Sequence, residues 1–168
     1  GLYGCTVLYY HRRISLIIKN VTVENLWLDP MFGQGDLYNR FTMDIILSNN
    51  NHTRKLLDTT EILHQIYKDI LSKNMPSGFL PRRYDVDNSL FSPHLEENKI
   101  RLKGQTNYTF ISTTGRVIDD LTEVVAKKGD IIVNPSYCIC PGGKAYVTYK
   151  VYQFKVVESD SILAEYIV

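Results

Sequence analysis

Apolar and polar residues alternate along much of this chain, and twice the alternation changes phase. Ile14, Leu16 and Ile18 share one side of an extended segment, opposite Ser15, Ile17 and Lys19; the apolar set then shifts to Val21 and Val23. Side chains alternate with a period of two, so such a slip requires an extra residue, a β-bulge, which bends the strand as barrel corners demand. The second slip comes late, where Ala145, Val147, Tyr149 and Val151 lie on one face and Tyr152, Phe154 and Val156 on the other. Between them Phe41, Met43, Ile45 and Leu47 alternate cleanly after a turn region holding Gly33 and Gly35. Segments 14–23 and 41–47 therefore read as two antiparallel strands.

Helical spacing replaces alternation in two places. Asp58-Thr59-Thr60-Glu61 has capping-box spacing, and Ile62, Leu63, Ile66, Tyr67, Ile70 and Leu71 follow as a stripe that Asn74 and Pro76 stop. The stripe is expected to pack into the core. A second stripe, Val117, Ile118, Leu121, Val124 and Val125, ends in Lys127-Lys128-Gly129, with cations in the last turn and then glycine. Ile100–Lys103 and Tyr108–Thr113 suggest a hairpin around Gly104; Ile131–Val133 reads as a buried strand fragment ended by Pro135, and Ile162–Val168 as a final strand. Segment 75–98, rich in Pro, Asn, Asp and Ser, reads as a long loop. The expected fold class is α+β, a curved antiparallel β-sheet or OB-like barrel with two packed helices. It occupies one domain, 1–168, with 138–168 a candidate appended C-terminal hairpin.

With 168 residues and 44% hydrophobic content, the chain can bury a core without metal or dense cross-linking. Its net charge of +1 and its scattered Lys and Arg argue against a nucleic-acid groove or a polybasic membrane patch, and no apolar run is long enough to span a bilayer. No charged-then-apolar leader opens the chain, so any secretory signal is expected to have been removed. Three Asn-x-Thr sequons start at Asn20, Asn51 and Asn107; chance would supply about one or two. Of the three cysteines, Cys138 and Cys140 stand too close to bond each other comfortably, so Cys5 is expected to bridge to one of them. Sequons and thiols together place the domain in a secreted or luminal setting.

Cys138-Ile139-Cys140-Pro141, the run Ala145–Val157, Glu158-Ser159-Asp160 and Ala164–Val168 resemble the opening of netrin-like modules, the family of the tissue inhibitors of metalloproteinases and of complement carboxy-terminal modules. Ile14–Val23 followed by Phe41–Leu47 is similar to the same strand pair, and Gly104 with Tyr108–Thr113 to the family's later Gly-to-strand segment. The resemblance implies an OB-type barrel and an interaction or inhibitor module. It departs from the family in having too few cysteines for three disulfides and in placing Cys138 internally, where its nitrogen is an amide and cannot chelate zinc. Phe91-Ser92-Pro93, Tyr108–Thr114, Gly129–Ile132 and Tyr149–Tyr152 resemble, in permuted order, the cupredoxin-like ephrin ectodomain.

The expected function is therefore binding another protein, with no nucleic-acid partner and no cofactor. Binding is assigned to Arg82, Arg83 and Tyr84 in the long loop and to Tyr146, Tyr149 and Tyr152 on the last long strand, since exposed Tyr and Arg anchor interfaces. The enzyme alternative is an ADP-ribosyltransferase, which Arg12 or Arg13, Ser112-Thr113-Thr114 and Glu158 superficially resemble in order. His11, His52, His64 and His94 are isolated and form no metal-binding spacing.

Overall fold

In a computed structural model the chain is described over residues 3–5, 8–9, 12–29, 40–74, 85–86, 98–106, 109–139 and 144–157. The elements are β1 (Tyr3–Cys5), β2 (Leu8–Tyr9), β3 (Arg12–Arg13), β4 (Leu16–Leu28), β5 (Arg40–Ile46), α1 (Asn50–Asn74), β6 (Asp85–Val86), β7 (Lys99–Gln105), β8 (Phe110–Ile111), β9 (Lys128–Ile139) and β10 (Lys144–Val156). Strands pair in the order β9-β4-β5-β7-β10, and β10 pairs back onto β9, closing a five-stranded barrel. All neighbours in the ring are antiparallel except β7 and β10, which run parallel. This is an OB-like α+β fold, in which the third strand pairs with the fifth and the fifth with the fourth.

Both phase slips are real bulges. The β4–β9 ladder shifts register between Ile18 and Val21, where Asn20 adopts φ +56, and the β9–β10 ladder shifts between Val151 and Gln153. The bends let one strand pair on both sides of a closed ring. Beyond each bulge the inward set resumes, so Val21, Val23, Phe41, Met43, Ile45, Ile100, Leu102, Ile131, Val133 and Phe154 fill the barrel. Phe41 takes so much of this space that a Cβ on Gly104 would stand 2.6 Å from its ring. Glycine is therefore required on that stretch of β7.

Helix α1 departs from expectation at its start and on its faces. It begins at Asn50, eight residues before Asp58, because the Asn49 side chain caps it by accepting from the His52 N–H at 2.9 Å. Leu56, Thr60, Leu63, His64 and Tyr67 are buried, whereas Ile62, Ile66 and Ile70 are exposed. The helix thus turns a partly polar face inward, and hydroxyls make the seam: Thr60 Oγ1 lies 2.6 Å from Tyr149 Oη, and Tyr67 Oη donates to the Pro135 carbonyl at 3.1 Å.

Three other expectations are corrected. The second helix is a single 3-10 turn at Leu121–Glu123, capped by Asp120, preceded by a β-bridge from Ile111 to Val117. Segments around Gly104 do not form a hairpin; β7 and β8 each pair separately with β10 in parallel. Pro135 does not end its strand, because β9 pairs with β4 only as far as Val133 and with β1 only from Tyr137 on. A residue without an N–H is tolerated in that gap. The expected last strand, 162–168, and most of the 75–98 loop lie outside the described residues.

Candidate functional site

The outward side chains of four neighbouring strands fall into ordered rows. In the middle row Trp27 of β4 faces Thr42 of β5, Thr42 faces Lys103 of β7, and Lys103 faces Lys150 of β10. On one side Asn25 faces Asp44, which faces Arg101. On the other side the Asp29 N–H donates to the Arg40 carbonyl at 2.9 Å, and Arg40 faces Gln105. Tyr152, next outward along β10 after Lys150, is 63% exposed. Arg40, Arg101, Lys103 and Lys150 are all exposed, and Trp27 is 39% exposed.

Two features fix this surface. Asp44 is buried behind it and takes a two-pronged grip on Arg101, from Nε at 2.9 Å and from Nη2 at 3.2 Å. That hydrogen bonding holds the Asp44 carboxyl below the usual carboxylate range, against the desolvation that would raise it. The Arg101 side chain itself is 61% exposed, so the pair adds no more than about 1 kcal/mol of stability and acts mainly to orient the guanidinium. So oriented, Arg101 lies 5.0 Å from the centre of the Trp27 ring, a cation–π stack. Second, Asp29 accepts a 2.7 Å hydrogen bond from the buried Thr42 hydroxyl. Between Asp29 and Arg40 on one side and Lys103 and Lys150 on the other lies a cavity of about 250 Å³. Among the described residues, Arg40, Lys103 and Lys150 have no acidic partner within salt-bridge distance.

Of the residues expected to bind, Tyr152 alone is placed on this surface by its own side chain. Tyr149 is buried, and burial pushes its phenol up despite the hydrogen bond with Thr60, so it is withdrawn as a contact residue. Tyr146 faces Cys138 across β9 and β10, its side chain outside the described residues, as are Arg82, Arg83 and Tyr84 altogether. In β1, Cys5 faces Tyr137 and Gly4 faces Cys138; Cys140 and the cysteine side chains are likewise outside. Asn20 and Asn51 are exposed, and Asn107 is not described. Trp27, Arg40, Arg101, Lys103 and Lys150 were missed because they are far apart in sequence; the alternation that puts them on the polar sides of their strands was the available signal.

No family model matches the chain, and no curated protein matches it in sequence. Solved structures do. One is gp2.5, a single-stranded DNA binding protein encoded by bacteriophage T7, with a TM-score of 0.51 and 14% identity, covering 92% of this chain and 97% of that one. Another is the single-stranded DNA-binding protein from bacteriophage Enc34, with a TM-score of 0.55 and 14% identity, covering 92% and 86%. The likeness is one of fold.

It overturns the netrin-like resemblance, and with it the secreted or luminal glycoprotein that binds only protein. The secreted or luminal setting was inferred from the sequons and thiols, and with that setting corrected they no longer support a compartment. The exclusion of a nucleic-acid partner is also corrected. It relied on net charge, a sum over the whole molecule, whereas the cations of β5, β7 and β10 are gathered by strand pairing.

Proposed function

We propose that this protein binds single-stranded DNA across the outer face of β4, β5, β7 and β10. The carrying observation is the middle row, Trp27-Thr42-Lys103-Lys150, flanked by Arg40, Arg101 and Tyr152. OB barrels receive oligonucleotides on the face of their second and third strands, here β5 and β7. Single strands ask two things of such a face: cations along the backbone path, and aromatic planes on which bases stack without regard to sequence. Lys103, Lys150 and Arg40 supply the first; the Trp27–Arg101 stack and Tyr152 supply the second. The fold shared with two phage single-stranded-DNA-binding proteins supports the same reading.

Titrating a fluorescein-labelled oligo-dT with the protein at several salt concentrations tests this. Each phosphate neutralised on a single strand contributes about −0.7 to the slope of log K against log salt, so the three cations predict a slope of about −2. Absence of binding at 20 °C in about 50 mM salt, where such contacts are strongest, defeats the proposal.

A further inference from the structure

An acid beside three cations is an odd neighbour for a polyanion. We propose that Asp29 is a specificity determinant that accepts a hydrogen bond from the exocyclic amino group of a base seated in the cavity between it and Lys103. The inference rests on the single-stranded-DNA reading above. Asp29 is half-buried at the end of β4, and its position is over-determined: its N–H is spent on the Arg40 carbonyl and its Oδ1 on the Thr42 hydroxyl. Thr42 is 3% exposed, so its hydroxyl has no competing water and holds the carboxylate in one orientation.

Among the described residues the other carboxylate oxygen, Oδ2, has no hydrogen-bond donor, and Arg40 does not pair with it. A carboxylate is acceptor-only, so what completes it must be a donor. Phosphates offer none. Bases do: cytosine presents its N4 amino group, whereas thymine presents a carbonyl oxygen at the corresponding position. The cavity of about 250 Å³ has room for a base. Arg40 and Lys150 then hold the flanking phosphates.

The test compares oligo-dC with oligo-dT, equal in length and ring size, and follows the ratio of their dissociation constants. Asp29→Asn keeps the shape and an oxygen for Thr42 but removes the charge; Thr42→Val keeps the charge and removes its orientation. In Asp29→Asn the preference for dC over dT is expected to fall by about tenfold, the worth of one hydrogen bond to a charged group. In Thr42→Val it falls by a smaller factor; in both variants the readout is the dC:dT ratio, whatever the change in affinity for dT alone. An unchanged dC:dT ratio in Asp29→Asn, even with both affinities raised, overturns the inference and reduces Asp29 to a uniform repulsion. Should Asp29→Asn not fold, an unchanged ratio in Thr42→Val overturns it equally. Failure of the unaltered chain to bind either oligonucleotide refutes the DNA reading itself and this inference with it, a result distinct from binding without preference.

Discussion

The two outer faces of the barrel are built from the same alternation and end up chemically different. Over β5, β7 and β10 the outward positions carry Arg40, Arg101, Lys103 and Lys150, with Trp27 and Tyr152 among them. Over β9 and the start of β4 they carry Ile17, Lys19, Lys128, Asp130, Ile132, Asn134 and Ser136, with Ser15 just before β4. There polar groups are spent on each other: Ser15 Oγ donates to Asn134 Oδ1 at 2.7 Å, and Asp130 Oδ1 accepts from the Asn20 N–H at 3.1 Å. Inward positions do not distinguish the halves, since both supply aliphatic and aromatic side chains. Fold is thus written on one parity of the strands, and the proposed binding face on the other parity of half of them.

The largest effect that can break this contrast is charge reversal. Lys103→Glu with Lys150→Glu puts two acids at the centre of the proposed face, at exposed positions where no core contact is lost. Affinity for oligo-dT at low salt is expected to drop by about a hundredfold or more, and the salt slope to shrink in magnitude from about −2 to about −0.7, as two phosphate contacts become repulsions. Lys19→Glu with Lys128→Glu, the matched double reversal at exposed positions of β4 and β9, is expected to move affinity by less than about threefold. Equal losses from both double reversals in an anisotropy titration would show that net charge alone attracts DNA and that the faces do not differ.

Next in size is the aromatic contribution. Trp27 is the single tryptophan, so its fluorescence reports on this face without labelling. Stacking a base on an aromatic ring contributes about 1–3 kcal/mol, so Trp27→Ala is expected to weaken oligo-dT binding by about tenfold, with Trp27→Phe recovering most of the loss. Fluorescence of the unaltered protein should fall on titration with oligo-dT. An unquenched signal at saturation would remove Trp27 from the contact and leave a purely ionic groove.

The barrel was legible in the sequence, and the site was not, for one physical reason. A bulge leaves a local trace, since the apolar set changes parity within a few residues; Ile18 to Val21 and Val151 to Phe154 carried that trace and located two bends, whereas a third shift, between Val23 and Asn25 in the β4–β5 ladder, was not read. A binding face made by strand pairing leaves none. Trp27, Thr42, Lys103 and Lys150 form one row only once β4, β5, β7 and β10 are in register. Helix α1 was misread by a related error. Counting apolar residues gave Ile62, Ile66 and Ile70 to the core, but Thr60, His64 and Tyr67 occupy it, because Tyr137, Tyr149 and the Pro135 carbonyl offer that side of the helix partners a hydrocarbon cannot use. Tyr152 was named with Tyr146 and Tyr149 as part of one Tyr-rich strand; Tyr152 is exposed and its neighbour Tyr149 buried, a difference the sequence did not show.

The smallest expected effect separates scaffold from face altogether. His64, 3% exposed on the buried side of α1, packs its ring 5.2 Å from that of Tyr137. Burial lowers its pKa below the ordinary 6.5, Lys68 lowers it further, and Glu61 opposes them. The folded state therefore favours the neutral ring, so the stability it confers is complete above about pH 6.5 and is lost as pH falls below that value, where the unfolded chain binds the proton first. Asp44 acts in the same direction but only near and below its ordinary 3.8, outside this window. Thermal unfolding should show a lower Tm at pH 5.5 than at pH 7.5, and His64→Leu should flatten the difference. Oligo-dT affinity, measured at a temperature where both states are fully folded, should change little over the same interval, since His64 lies on the buried side of the helix and no histidine stands in the rows of the face. A pH-dependent affinity that survives in His64→Leu with its Tm already flat would mean that another titrating group reaches the DNA, and that face and scaffold are less separate than the geometry makes them.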